Sequence, residues 1–171
     1  PEYAREKHGR YGWLPLLVAA QNNKPLAVVK ALLDSYPEAA KEKDANKKLP
    51  FHFAAQFSES VAVIKAVLDA YPDAVKAKDK VGWLPLHLAA AFNKSEAVIK
   101  AVLAAYPAAV KAKDSGGELP SEHARKHNTA AIVALLEKAS EQAMARLVAD
   151  MTRVMREHPT AKAAVEAGVD R

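Results

Sequence analysis

The segment Leu84-Pro85-Leu86-His87-Leu88-Ala89-Ala90 has counterparts opening at Leu14-Pro15, at Leu49-Pro50 and, in degraded form, at Leu119-Pro120, each 35 residues from the next. A fixed period of this length restricts the chain to a solenoid. In that architecture a supersecondary unit too small to bury its own apolar face is stacked on its neighbours, and the core is shared. The 171 residues therefore read as one structural body rather than as independently folded domains.

Each unit has a legible grammar. Pro85 suits the first turn of a helix, where its missing N–H would have no partner, and the apolar and alanine run behind it predicts a helix of about two turns, to Phe92. A turn at Asn93-Lys94-Ser95 follows, and Ser95 can cap a second helix. There Val98, Ile99, Val102 and Leu103 recur at the spacing of one buried helical face. Tyr106-Pro107 stops that helix, because a proline pushes the residue before it out of the helical region, and Tyr36-Pro37 and Tyr71-Pro72 stand at the same phase. The stretch from Lys111 to Gly117 alternates and then turns, which predicts a short extended finger leading to the next Leu-Pro.

Asp79-Lys80-Val81-Gly82-Trp83-Leu84-Pro85-Leu86-His87-Leu88-Ala89-Ala90 resembles the hallmark of ankyrin repeats, an Asp-x-x-Gly turn followed by Thr-Pro-Leu-His-x-Ala-Ala. The family period of about 33 residues is lengthened here by one residue between the helices and one at Tyr-Pro. Leu14, Leu49, Leu84 and Leu119 replace the hallmark threonine, so packing is expected to take over from the missing hydroxyl. The resemblance implies an all-α solenoid of helix-turn-helix units with short finger loops, a non-enzymatic scaffold for protein partners.

The array is expected to occupy residues 1–138, with a partial repeat at 1–13 and repeats starting near 14, 49, 84 and 119. Residues 139–171 are expected to form an extended C-terminal helix and a short tail. Because Pro1-Glu2-Tyr3-Ala4-Arg5-Glu6-Lys7 reads like Pro37-Glu38-Ala39-Ala40-Lys41-Glu42-Lys43, the chain is expected to be a segment of a longer array, natural or consensus-designed.

The last unit departs from the pattern. Ser121, Glu122, Arg125, Lys126 and His127 stand where earlier units are apolar, as at a solenoid end that solvates its face. Its second helix lacks the Tyr-Pro stop, and Ile132, Leu136, Ala139, Ala143, Leu147, Met151 and Val154 continue in three- and four-residue steps. That predicts one helix of roughly 28 residues, about 42 Å long. Its distal stripe, Met144, Leu147, Met151, Val154 and Met155 with Val148, has two readings: packing back on the array with help from residues 160 to 167, or binding a partner, to which adaptable methionine-rich stripes are suited.

Composition narrows function. The chain has no cysteine, which excludes disulfides, thiolate metal sites and a cysteine nucleophile, and agrees with an expected intracellular location of unspecified compartment. Its longest apolar run is too short for a membrane span. The net charge is +5, from 25 basic and 20 acidic side chains, but the lysines are interleaved with acids and no polybasic run occurs. Nucleic acid is therefore not the expected partner, and the alternative to a protein is an anionic ligand or nucleic acid held by a ladder of lysines.

No cofactor is expected, and no metal. His52 and His87 sit at the hallmark position, where the resemblance implies a strut between a helix and a neighbouring finger; stacked helices, about 8 to 10 Å apart, also hold the rings too far apart to share an ion unaided. His123 and His127 are four apart and so could share a helical face, but the sequence places no third ligand with them. What remains is surface. The resemblance implies recognition through finger tips and the exposed side of each first helix. Carried over by position, the candidates are Trp13, Lys48 and Trp83 before the Leu-Pro pairs, and Val81 on the finger. Phe57 and Phe92 follow at the ends of first helices, and Lys43, Lys78 and Lys113 form the ladder. For the tryptophans packing against an adjacent finger is the competing reading, and for the phenylalanines a place in the inter-helix core.

Overall fold

A computed structural model describes residues 2–6 and 14–157. Its elements are first helices α1 (Pro15–Gln21), α3 (Pro50–Phe57), α5 (Pro85–Phe92) and α7 (Pro120–His127), and second helices α2 (Leu26–Ser35), α4 (Val61–Ala70), α6 (Glu96–Ala105) and α8 (Ala130–Glu157). Every first helix opens on the proline of a Leu-Pro pair. The first helices stack in one layer, α1 on α3 on α5 on α7, and α2, α4 and α6 stack in a second. This is an all-α stacked helical-repeat architecture.

The core lies between the layers. Val29, Ile64 and Ile99 are buried at one register position, and Val63, Val98 and Ile132 at another. Leu14, Leu49 and Leu84, where the resemblance has threonine, are buried in the same cluster. Packing does replace the hydroxyl there. Ser60 and Ser95 cap α4 and α6 by accepting hydrogen bonds from Val63 N–H and Val98 N–H, as the turn residues predict.

One local element adds to the sequence reading, between the Tyr-Pro stop and the finger. After each Tyr-Pro the chain does not extend directly but makes a 3₁₀ turn, Pro37–Lys41, Pro72–Lys76 and Pro107–Lys111. Proline at the first position pre-sets φ for such a turn, and Ala39, Ala40, Ala74, Val75, Ala109 and Val110 are buried by it.

Each finger is closed by an aspartate that accepts two backbone N–H bonds. Asp44 holds Asn46 and Lys48, Asp79 holds Val81 and Trp83, and Asp114 holds Gly116 and Glu118, all at 2.8 to 3.0 Å. Fingers are tied tip to tip by Lys80 N–H to Asn46 O and Ser115 N–H to Val81 O. The turn requires a left-handed residue, supplied by Gly82 (φ 81°) and Gly117 (φ 83°) but by Lys47 (φ 61°) in the first finger. Lys47→Gly should therefore stabilise the fold by about 1 kcal/mol, read as a raised urea midpoint at unchanged slope. An unchanged or lowered midpoint would mean that the lysine is not strained.

Helix α8 has 28 residues against 10 in α6, so it runs far past the layer it begins in. Its first part is anchored on α7 and on the turn at Pro107–Lys111, with Ile132 and Leu136 buried. Beyond about residue 143 it leaves the layer. Met144, Leu147, Val148, Met151 and Val154 are 46 to 55% exposed, and Met155 is half-buried. The described residues thus do not cover this stripe; residues 160 to 167, invoked for packing back on it, lie outside the described residues. No helix among the described residues is long and apolar enough to cross a membrane.

Candidate functional site

The fingers and the first helices meet on one side of the stack, and there an aromatic row runs along units three and four. Trp83, half-buried, lies 4.3 Å from His123, 6.2 Å from Phe92 and 6.4 Å from His87, ring centre to ring centre, and Phe92 stacks at 6.0 Å on His127. Trp83 is thus braced by the next unit while its finger neighbour Val81 is 55% exposed. Phe57 and Phe92 are 38 and 44% exposed, at the surface rather than in the inter-helix core. Trp13 lies outside the described residues.

The lysines are distributed differently. Lys43, Lys78 and Lys113 are exposed, and Lys78 Nζ donates to Lys113 O at 3.1 Å, so one rung braces the next finger. Lys48 sits 5.9 Å from the Phe53 ring.

The histidines behave as struts. The Nδ1 of His52 accepts from Leu49 N–H at 3.1 Å, and its Nε2 faces Ala77 O at 3.0 Å across to the finger. Burial pushes its pKa from the ordinary 6.5 down to about 4, which keeps the ring neutral. His87 repeats the first bond through Leu84 N–H. Its Nε2 is buried near the carbonyls of Ala112 and Glu118 and meets hydrogen-bond geometry with neither, and burial lowers its pKa too. Both rings are fully buried.

The sequence pair His123 and His127 is not brought together. His127 is exposed over Phe92, whereas His123 is buried and its Nε2 lies 2.9 Å from Asp114 Oδ2 and 3.6 Å from Glu118 Oε2. Among the described residues these three could hold a divalent ion, with one ligand atom from each within 4.8 Å of the others. Each is already engaged: Asp114 closes its finger, Lys126 pairs with Glu118, and the Trp83 ring packs on His123. Burial pushes the Asp114 carboxyl up, but the N–H bonds from Glu118 and Gly116 and the bond from His123 outweigh it and hold the pKa at about 2. The cluster's chemistry is that of a buried histidine–carboxylate hydrogen bond closing the last joint. Sequence reading missed it because the ligands come from a finger and a helix; the signal was that Glu118 and His123 jointly replace Trp83 and Leu88 of the unit before.

The last unit is less solvated than its composition predicts. Ser121 and His123 are buried, and Glu122 takes over the histidine's role by accepting from Leu119 N–H at 2.6 Å. Arg125, Lys126 and His127 are exposed as expected. No family model matches the chain, and no curated protein matches it. The geometry supports a stacked helical-repeat architecture in which the buried His52, Asn93 and His123 hydrogen-bond to neighbouring elements.

Proposed function

We propose that the chain is a non-enzymatic scaffold of the ankyrin-repeat type that binds a partner protein through its finger tips and the exposed side of its first helices. The observation that carries this is the exposure of the apolar side chains Val81 on a finger and Phe57 and Phe92 at the ends of α3 and α5, with Phe92 stacked on Trp83. Aromatic side chains held on a pre-formed surface lose little freedom on binding and are favoured anchors. The lysines at its edge suit a partner with acidic as well as apolar features. The distal stripe of α8 would be a second contact for the same partner.

The test uses the whole chain as bait in three forms: unaltered, Phe57→Ser with Phe92→Ser, and Leu147→Lys with Met151→Lys. The first pair should lower recovery of specifically captured proteins by about tenfold while the melting temperature stays close to that of the parent. Full recovery on that pair with loss on the α8 pair would move the site to the long helix. Capture that disappears with nuclease or falls steeply with salt would replace the reading with the anionic-ligand alternative.

A further inference from the structure

Three side-chain atoms converge where the last finger meets α7. His123 Nε2 lies 2.9 Å from Asp114 Oδ2 and 3.6 Å from Glu118 Oε2, and all three atoms lie within 4.8 Å of one another. The other bonds of these residues leave the three atoms to each other. Asp114 Oδ1 takes both N–H bonds of the finger turn, from Gly116 and Glu118, and Glu118 Oε1 takes the Lys126 ammonium. The side chains of Asp114 and His123 are buried while that of Glu118 is 34% exposed, so water reaches the cluster from the Glu118 side.

A second observation in the same joint is an orphaned donor. His87 Nδ1 accepts from Leu84 N–H, so its Nε2 carries the ring proton, and that N–H is fully buried without a hydrogen-bond partner. One unit earlier the same strut is closed, with His52 Nε2 bonded to Ala77 O at 3.0 Å. His87 is directed at the finger that supplies Asp114 and Glu118, beside the Glu118 carbonyl, and its ring meets the His123 ring edge-on at 5.7 Å between centres. The last finger therefore stands off its strut. What it lacks is a tie to the layer of first helices, and a ligand bridging the finger to His123 is such a tie.

We infer that Asp114, Glu118 and His123 form a site for one divalent transition-metal ion of the Zn²⁺ class, which clamps the last finger onto α7. Two carboxylates and an imidazole offer two negative charges and one nitrogen. That donor set suits Zn²⁺, Co²⁺ or Ni²⁺ and not the hard Mg²⁺ and Ca²⁺, which take oxygen shells. Ligand atoms about 2.1 Å from such an ion stand about 3 to 3.5 Å from each other, so the spacing already in place needs little adjustment. The ion takes the position of the proton that His123 Nε2 directs at Asp114, and that proton leaves for solvent or for Nδ1. Lys126 is half exposed and turns into water as the ion takes over its charge pairing with Glu118. Three protein ligands leave coordination positions to water on the open side. The site goes beyond the partner surface proposed above and does not depend on it.

Trp83 supplies the readout, because its ring lies 4.3 Å from that of His123. The chain has two tryptophans, so Trp13→Phe leaves Trp83 alone. In that background Co²⁺, a paramagnetic quencher, should reduce the emission along a saturable curve of one ion per chain, and Zn²⁺ should reverse the quenching. Zn²⁺ at about a hundredfold excess over half-saturation should raise the melting temperature by about 5 °C, whereas Mg²⁺ at the same concentration should not. Glu118→Gln leaves the His123–Asp114 bond in place and should weaken Co²⁺ and Zn²⁺ binding at least about tenfold, with a metal-free melting temperature close to that of the parent. His127→Gln, on the exposed histidine of the same helix, should bind as the parent does. No saturable quenching, an equal response to Mg²⁺, or binding as tight in Glu118→Gln as in the parent would overturn the inference. So would loss of binding in His127→Gln, since the ion would then sit on the surface.

Discussion

Acidification from pH 7 to pH 4 is expected to cost the fold about 3 kcal/mol through His52 alone. His52 is fully buried and neutral, with Nδ1 accepting from Leu49 and Nε2 donating to Ala77 O. Its folded pKa is about 4 against an ordinary 6.5. Above pH 6.5 the ring is neutral folded and unfolded, and it adds no pH dependence. Between 6.5 and about 4 only the unfolded chain binds the proton, so unfolding takes up a proton and stability falls as pH falls. Below about 4 both states are charged and the loss is complete. His87 is shifted in the same direction and adds to the slope. Asp114, held at about 2 against 3.8, extends the loss at lower pH, because the unfolded carboxylate takes its proton first. Urea midpoints across pH 4 to 7 for the parent and for His52→Gln measure this; the variant should be less stable at pH 7 but have a shallower slope. An identical slope in both would remove His52 as the cause.

Replacing Asn93 by Asp should be the most damaging isosteric change in the array. The Asn93 side chain is 4% exposed, and its Nδ2 donates at 2.9 and 2.8 Å to the carbonyls of Ala55 and Ser58, while its Oδ1 accepts from Ser95 N–H. The two carbonyls belong to the end of α3, where a helix leaves acceptors without intrahelical partners. One unit thereby caps the helix of the unit before. A carboxylate would present an acceptor to two acceptors in a buried place, and a loss of about 4 kcal/mol in urea unfolding is expected. Asn93→Ala, which removes the donors without adding charge, should cost about 2 to 3 kcal/mol. Losses below 1 kcal/mol in both would show that water replaces the amide. Asn128 makes the same bracket to Ala90 O and Asn93 O, so the device recurs at the last joint. The first joint lacks it, since Ser58 stands at that position; there Asn23 Oδ1 accepts from Glu59 N–H at 3.3 Å instead.

The sequence by itself determined the elements and their order. The Leu-Pro starts, the serine caps at Ser60 and Ser95, the Tyr-Pro stops and the uninterrupted face from Ile132 to Val154 are local, and local signals act through backbone geometry and through apolar spacing within one helix. The 3₁₀ turns after Tyr-Pro were equally local, set by the proline that opens each of them. The polar geometry of the joints was decided by the tertiary structure. Asn93 reaches carbonyls 35 and 38 residues earlier, Trp83 lies on a ring 40 positions later, and His123 finds Asp114 rather than His127. Which side chains meet across a joint depends on the offset and tilt of one unit on the next, set by the packing of whole helices, and no spacing within a single helix encodes it. The same stacking made Val28 differ from Val63: identical residues at identical phase, one uncovered and one buried, because burial is a property of the neighbour.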